Sequence, residues 1–295
     1  HTTQSTSYTC NPLWKYTTKL ETRILAINET ASYIPVGAAD KVFVLDKQGK
    51  LSWEYQTDSS VNYISIVENY IAVGSQKSVY LFKTNGDLIW TYSVSGTPET
   101  IAISRTGPYV SVGTNTGNIY LLDGGGTLKW SYKNKSAINT ISMTGLGTYI
   151  VAGSTDGSIF YFNREGTKLW AYKTNGPVNN IDISSQGQYV AAGADKDGYY
   201  LFDWNGKKLW NSTNKEIYFW AIHVADDGKW LLGGNGKYMG GNPDMKNSNN
   251  VCFFNTVNFA KAGEQPDKNT EVTTTPAETT TTTQTTNKFP SANAG

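Results

Sequence analysis

Asp182 and His223 are the residues best suited to acid–base work, because a carboxylate beside an imidazole can orient the ring and assist proton transfer. No Ser or Cys nucleophile is evident beside them, so a structural hydrogen bond is the plainer expectation for the pair. A second set is polar rather than catalytic: Arg23, Asn62, Glu99, Asn139, Asn179 and Trp220. A guanidinium, a carboxylate and amides gathered together could hold a polar ligand such as a glycan or a peptide. The plainer expectation is that they stay hydrated and satisfy nearby backbone groups. Asp195-Lys-Asp197-Gly198 carries two carboxylates of a calcium loop but no Glu at the required offset, which predicts an ordinary turn. No metal site and no cofactor are expected. Cys10 and Cys252 form no C-x-x-C pair, which leaves a disulfide or two separate thiols.

What must position these residues is a repeat. The phrase Gly126-Thr-Leu-Lys-Trp130-Ser-Tyr132 recurs at Gly49–Tyr55, Gly86–Tyr92 and Gly166–Tyr172, with a loss at Gly206–Ser212 and without its glycine at Leu13–Tyr16. Its tryptophans, Trp14, Trp53, Trp90, Trp130, Trp170 and Trp210, follow one another at intervals of 39, 37, 40, 40 and 40 residues, a period that signals a repeat architecture. Within each unit, runs of about five alternating or β-branched residues lie between Gly, Asn and Asp turns, and no helix-length periodicity appears. The third unit predicts strand A at Thr100–Ser104, B at Tyr109–Gly113, C at Asn118–Leu122 and D at Leu128–Tyr132. Four antiparallel strands in about 40 residues describe a propeller blade.

The A–B–C set appears six times, its strand A markers being Leu25, Ile64, Ile101, Ile141, Ile181 and Ile222. The first D strand, Leu13–Tyr16, precedes any A strand, and the last unit stops after strand C at Val251–Asn255. The expectation is an all-β, six-bladed propeller in which the N-terminal strand completes the last blade and closes the ring. A seventh blade would need Thr256–Ala260 or a partner chain. Closure would remove the open sheet edges. The polar set stands two residues before the markers, at the channel mouth on the face of the D–A and B–C loops. Asp182 and His223 stand one residue after their markers, on adjacent blades. Cys10 and Cys252 flank the closing strands, where a disulfide would latch the ring, provided the segment before Trp14 turns back to bring the sulfurs together.

Units such as Tyr149-Ile-Val-Ala-Gly-Ser-Thr-Asp-Gly-Ser-Ile-Phe-Tyr-Phe-Asn163, followed by Gly166-Thr-Lys-Leu-Trp170, resemble the quinoprotein-like (PQQ-type) β-propeller repeat, especially versions from archaeal and bacterial cell surfaces. The resemblance covers roughly residues 13–255. It implies that the six tryptophans dock between neighbouring blades. It does not bring an enzyme with it: quinoprotein dehydrogenases carry adjacent cysteines and a calcium-ligand set, and Cys10 and Cys252 lie far apart. Sialidase-type propellers need an arginine triad and repeated Ser-x-Asp boxes. Here Arg23, Arg105 and Arg164 are present and the boxes are not. A rigid binding or assembly scaffold remains.

The chain has 25 basic and 24 acidic residues, so its charge makes no case for nucleic acid or a membrane surface. No apolar run approaches the roughly 18 residues of a spanning helix. Residues 1–11 read as a polar lead-in, 12–260 as the propeller, and 261–295 as a Thr-rich stalk or linker with nothing to pack. Asn28, Asn134 and Asn211 begin N-glycosylation sequons, and together with the Thr-rich stretch they favour an extracellular, surface-displayed glycoprotein. Residues 235–249 make an unusually long B–C loop, where Lys237, Tyr238, Met239, Asp244 and Met245 offer recognition contacts. The function expected is non-enzymatic binding of a protein or glycan, in adhesion, envelope assembly or a self-associating layer or filament. The alternative is a hydrolase or lyase acting on glycans at the channel mouth.

Overall fold

A computed structural model of the chain describes residues 12–106, 108–212, 218–226, 229–236 and 250–255. The chain divides into two units, residues 1–263 and 264–295, and every described strand lies in the first. Among the described residues the fold is all-β, with five four-stranded antiparallel sheets and one of three strands. Blade one is β1 (Thr22–Leu25), β2 (Ile34–Ala38), β3 (Lys41–Leu45) and β4 (Leu51–Gln56). Blade two is β5 (Val61–Val67), β6 (Tyr70–Ser75), β7 (Ser78–Lys83) and β8 (Leu88–Ser93). Blade three is β9 (Pro98–Ile103), β10 (Val110–Thr114), β11 (Asn118–Leu122) and β12 (Leu128–Lys133). Blade four is β13 (Ile138–Met143), β14 (Tyr149–Ser154), β15 (Ser158–Asn163) and β16 (Lys168–Lys173). Blade five is β17 (Val178–Ile183), β18 (Tyr189–Ala194), β19 (Gly198–Asp203) and β20 (Lys208–Asn211). The last sheet is β21 (Tyr218–Val224), β22 (Trp230–Gly236) and β23 (Asn250–Asn255). The strand bounds expected from the third unit hold to within two residues.

The B and C strands are apolar on both faces because each sheet is covered on both sides, so blades pack face to face. The first strands of successive blades touch in the order β1, β5, β9, β13, β17, β21. One shared core joins Val42 and Val44 of blade one to Val61, Ile64, Ile71 and Val73 of blade two, and another joins Ala191 and Leu201 of blade five to Ile222, Val224 and Leu231 of the last sheet.

Trp53, Trp90, Trp130 and Trp170 each lie against the glycine hairpin of the next blade. A Cβ added to Gly86, Gly126, Gly166 or Gly206 would fall within 3.0 Å of Trp53, Trp90, Trp130 or Trp170 respectively. These glycines also have positive φ, 80° to 101°, so the turn and the close approach call for the same residue. The indole Nε1 then donates to a carbonyl two residues before that glycine: Trp53 to Thr84 O at 2.8 Å, Trp130 to Arg164 O at 2.8 Å and Trp170 to Trp204 O at 3.1 Å. The phrase tyrosines add edge contacts to the same neighbour, such as Tyr55 to Phe82 and Tyr172 to Phe202, at 4.9 and 4.8 Å between ring centroids.

The expected first D strand differs. Residues 13–17 form no strand, and among the described residues β23 pairs only with β22. The physical reason lies in connectivity: every other D strand is held by a glycine hairpin from its own strand C, and Leu13–Tyr16 has none. Its side chains nevertheless occupy the repeat position. Trp14 packs on Gly49 and donates Nε1 to Lys47 O at 3.0 Å, and Tyr16 lies 6.2 Å from Phe43. Cys10 lies outside the described residues. Cys252 is placed on β23 opposite Gly233.

Candidate functional site

The polar set expected at a channel mouth shares one backbone feature. In each blade the register of strand A against strand B slips by one residue at the member of that set. Thus Val61 pairs with Ser75 and Tyr63 with Gly74, which leaves Asn62 as the extra residue of a β-bulge. Arg23, Glu99, Asn139, Asn179 and Trp220 take the same place in the other five blades. A bulge re-aims a side chain and lets residues three apart share one face. Val61 and Ile64, Ile138 and Ile141, and Val178 and Ile181 are accordingly all buried. The residue opposite the bulge is glycine because the next blade's entry residue presses on it: a Cβ on Gly113 would sit 2.5 Å from Ile138.

The six positions are not alike. On blades four and five they are wired together, with Asn139 Nδ2 donating to Asn179 Oδ1 at 3.2 Å and Asn179 Nδ2 to Asp195 Oδ2 at 2.6 Å. On blade one, Arg23 pairs with its neighbour Glu21 at 3.2 Å, both side chains being exposed. The Glu99 carboxylate makes no hydrogen bond or ion pair among the described residues. It is open to solvent, yet the strands around it desolvate it enough to raise its pKa above the ordinary 4.5. Of Trp220 only the backbone is described. The loop residues Lys237, Tyr238, Met239, Asp244 and Met245 lie outside the described residues.

One step inward, side chains cap the free edge of the next blade's first strand. Ile141 N donates to Thr100 Oγ1 at 3.1 Å, Ile222 N to Asn180 Oδ1 at 3.1 Å, and Val224 N to Asp182 Oδ2 at 3.0 Å. His223 Nδ1 lies 3.4 Å from the same Asp182 oxygen, and the Ser142 hydroxyl donates to Asp182 Oδ1 at 3.4 Å. A serine therefore does stand beside the pair, a neighbour that sequence reasoning passed over although Ser142 occupies the same position in blade four. It bonds the carboxylate and not the imidazole, which is the wrong order for a Ser-His-Asp relay. Asp182 works here as a junction between blades four and five and the last sheet.

The Asp182 hydrogen bond raises the His223 pKa above 6.5, against partial desolvation. Because the folded value exceeds the unfolded one, the pair's stabilisation is fully present below about pH 6.5 and fades as pH rises through the raised value. Asp182→Asn should move the His223 titration downward while Val224 N keeps an acceptor. Histidine proton shifts followed against pH check this, and an unmoved midpoint would detach His223 from Asp182.

Among the described residues no group of three or more His, Cys, Asp or Glu is placed to hold a metal ion, and no helix is long and apolar enough to cross a membrane. Asp197 of the candidate calcium loop is taken up by Asn175, through its backbone N at 2.8 Å and its amide at 3.0 Å, and by Tyr200. Of the sequon asparagines, Asn134 donates to Ser136 O and Ser154 Oγ, Asn211 lies on β20 opposite Tyr200, and Asn28 stands half-buried in the long A–B loop of blade one.

Repeated four-stranded blades, inter-blade tryptophans and glycine hairpins define the class: the chain carries PQQ-type β-propeller repeats. Within that class, residues 75–216, from the end of β6 through blade five, match the model of the family described as outer membrane protein assembly factor BamB. No curated protein matches the chain.

Proposed function

We propose that the chain is a non-enzymatic binding scaffold: a closed six-bladed propeller that holds a protein partner at its bulge-lined mouth, outside the cell. The observation that carries the binding reading is the arc of Arg23, Asn62 and Glu99 on blades one to three. Three successive bulges carry polar residues there, and Glu99, exposed but partly desolvated, makes no hydrogen bond or ion pair among the described residues, whereas the matching amides of blades four and five are engaged, Asn139 with Asn179 and Asn179 with Asp195. A cationic or amide-rich protein segment would satisfy that arc. The family description, an assembly factor, favours a protein over a glycan. The Thr-rich stretch 261–295 would lift the head from a surface, and long-range self-association remains part of the same reading.

Ring closure has its own support. Trp14 and Tyr16 dock on blade one as D-strand residues of a preceding blade do. In the five complete blades, the strand C residue that pairs with the D-strand tryptophan is buried: Val44, Leu81, Leu121, Tyr161 and Leu201. Phe253 holds that position in β23 and is 65% exposed, beside Leu232 at 41%. On the facing side of blade one the marker Leu25 is 67% exposed, although its five counterparts are buried. Leu13–Tyr16 laid along β23, with Trp14 opposite Phe253, would cover both surfaces at once. A Cys10–Cys252 disulfide would then latch the seam.

The test is to capture the partner with a photo-crosslinker at position 99 on the native surface, then compare its affinity for the wild-type chain and for Glu99→Gln. Turnover of a glycan that Asp182→Asn abolishes would instead establish the hydrolase alternative.

A further inference from the structure

The opposite face, which carries the A–B loops, contains a cavity of about 490 Å³ lined by Ile27, Asn28, Tyr33, Ile66, Glu68 and Arg105 among others. That size falls within the roughly 300–1,000 Å³ usual for ligand sites. Its origin is a difference in loop length. Blade two turns from β5 to β6 through Glu68 and Asn69 alone, while blades one and three use residues 26–33 and 104–109. The short turn leaves a gap between two taller walls. Arg105 of the blade-three loop pairs with Glu29 of the blade-one loop at 2.6 Å, and both residues belong to the lining.

Both walls are fixed in advance. The blade-three loop is pinned through Arg105 N to Gly145 O at 2.7 Å. The blade-one loop is held by Ala31 N to Asn28 O at 2.9 Å and by Tyr33 N to Asn28 Oδ1 at 3.1 Å. Ile27, Tyr33, Ile66 and Val67 supply the apolar part of the lining, and carboxylate, amide, hydroxyl and guanidinium groups the polar part; the Glu68 carboxylate makes no ion pair or hydrogen bond among the described residues. Arg105 and Glu29 offset one another, so Glu68 leaves the site net negative and unfavourable to phosphate, sulfate or uronic acid.

We infer that this cavity is a cradle for neutral sugar rings. A pyranose carries both an apolar C–H face and vicinal hydroxyls, and this lining offers apolar side chains together with planar carboxylate, amide and guanidinium groups to match them. The sugar has two possible sources. One is a free oligosaccharide. The other is a glycan attached to Asn28, whose sequon is preorganised with Nδ2 3.1 Å from Thr30 Oγ1, whereas the Asn134 amide is spent in its own turn.

The experiment has two arms. Peptide mapping of protein isolated from its own cells reads the mass on the Asn28 peptide and the reactivity of Tyr33 to nitration before and after glycan trimming. Ligand-observed NMR on unglycosylated protein screens neutral methyl glycosides and disaccharides, then repeats any hit on Glu68→Ala and Arg105→Ala. Both substitutions are at exposed turn positions, and unchanged thermal unfolding confirms the fold. A free-sugar site is expected to lose at least about tenfold in affinity in either variant, the loss that goes with hydrogen bonds to charged groups. An attached glycan is expected to shield Tyr33 until it is trimmed. The inference is overturned by a bare Asn28 with no sugar bound, by binding indifferent to both substitutions, or by a glycan that leaves Tyr33 fully reactive. Glu99→Gln, on the other face, should change neither arm.

Discussion

Trp90→Ala should destabilise the protein by about 3–5 kcal/mol in guanidinium unfolding, the range for deleting a large buried aromatic. Trp90 is 8% exposed and fills the space over the Gly126 turn, so its loss opens the junction between blades two and three. The phenylalanine substitutions separate packing from hydrogen bonding. Trp130 donates to Arg164 O at 2.8 Å, and Trp130→Phe gives up that bond. Trp90 Nε1 is buried with no acceptor among the described residues. Trp90→Phe therefore removes an unsatisfied donor along with the extra ring volume. Trp130→Phe should be the more destabilising by at least about 1 kcal/mol, the usual net worth of one hydrogen bond. Equal losses would mean that the indole nitrogens play no part in joining blades.

Trp14→Ala tests the seam in the same way. If Leu13–Tyr16 lies along β23 and completes the last blade, Trp14 is an inter-blade tryptophan like the others, and its removal should cost about 3–5 kcal/mol. It should also couple strongly to Phe253→Ala, the residue it would face, since residues in contact depart from additivity by about 0.5–3 kcal/mol. A segment resting on blade one alone should lose no more than about 1 kcal/mol, as surface substitutions do, and show no coupling. Non-reducing peptide maps report the latch independently.

The fold was largely legible because repetition averages out the ambiguity of any single strand. Five copies of a glycine turn running toward Trp, with a sixth Trp at Trp14, set both the period and the blade, and the glycines serve the turn and the indole together. The bulges were not read, although their signal was present. Val61 and Ile64, or Val178 and Ile181, are apolar residues three apart on one strand, and a strictly alternating strand would put them on opposite faces. Polarity at Asn62 and Glu99 marks the set, but only the register shows that each is the extra residue of a bulge. The inequality within that set is also invisible in the sequence, because Asn139 bonds Asn179 across blades and no local pattern encodes a cross-blade partner. Ser142 was passed over for the same reason. At Leu13–Tyr16 the phrase was read as a strand, while its missing hairpin glycine was the better guide to the local backbone. The cavity beside Arg105 follows from loop lengths that the sequence displays, yet the Arg105–Glu29 ion pair is a contact between distant loops.

Glu99→Gln, read for stability and for partner affinity together, tests the binding account most directly. Glu99 has a folded pKa raised by desolvation, so its ionised form opposes folding increasingly as pH climbs from about 4.5 through the raised value. The neutral isostere should therefore leave the protein equally or more stable at pH 7. If the arc exists to hold a partner, the same substitution should weaken binding of the captured protein by about tenfold or more, as loss of a charge-assisted contact does. Greater stability bought with lost affinity is the signature of a functional group. An unchanged affinity, with the partner still crosslinking elsewhere, would contradict the assignment of the bulge-lined mouth as the binding site.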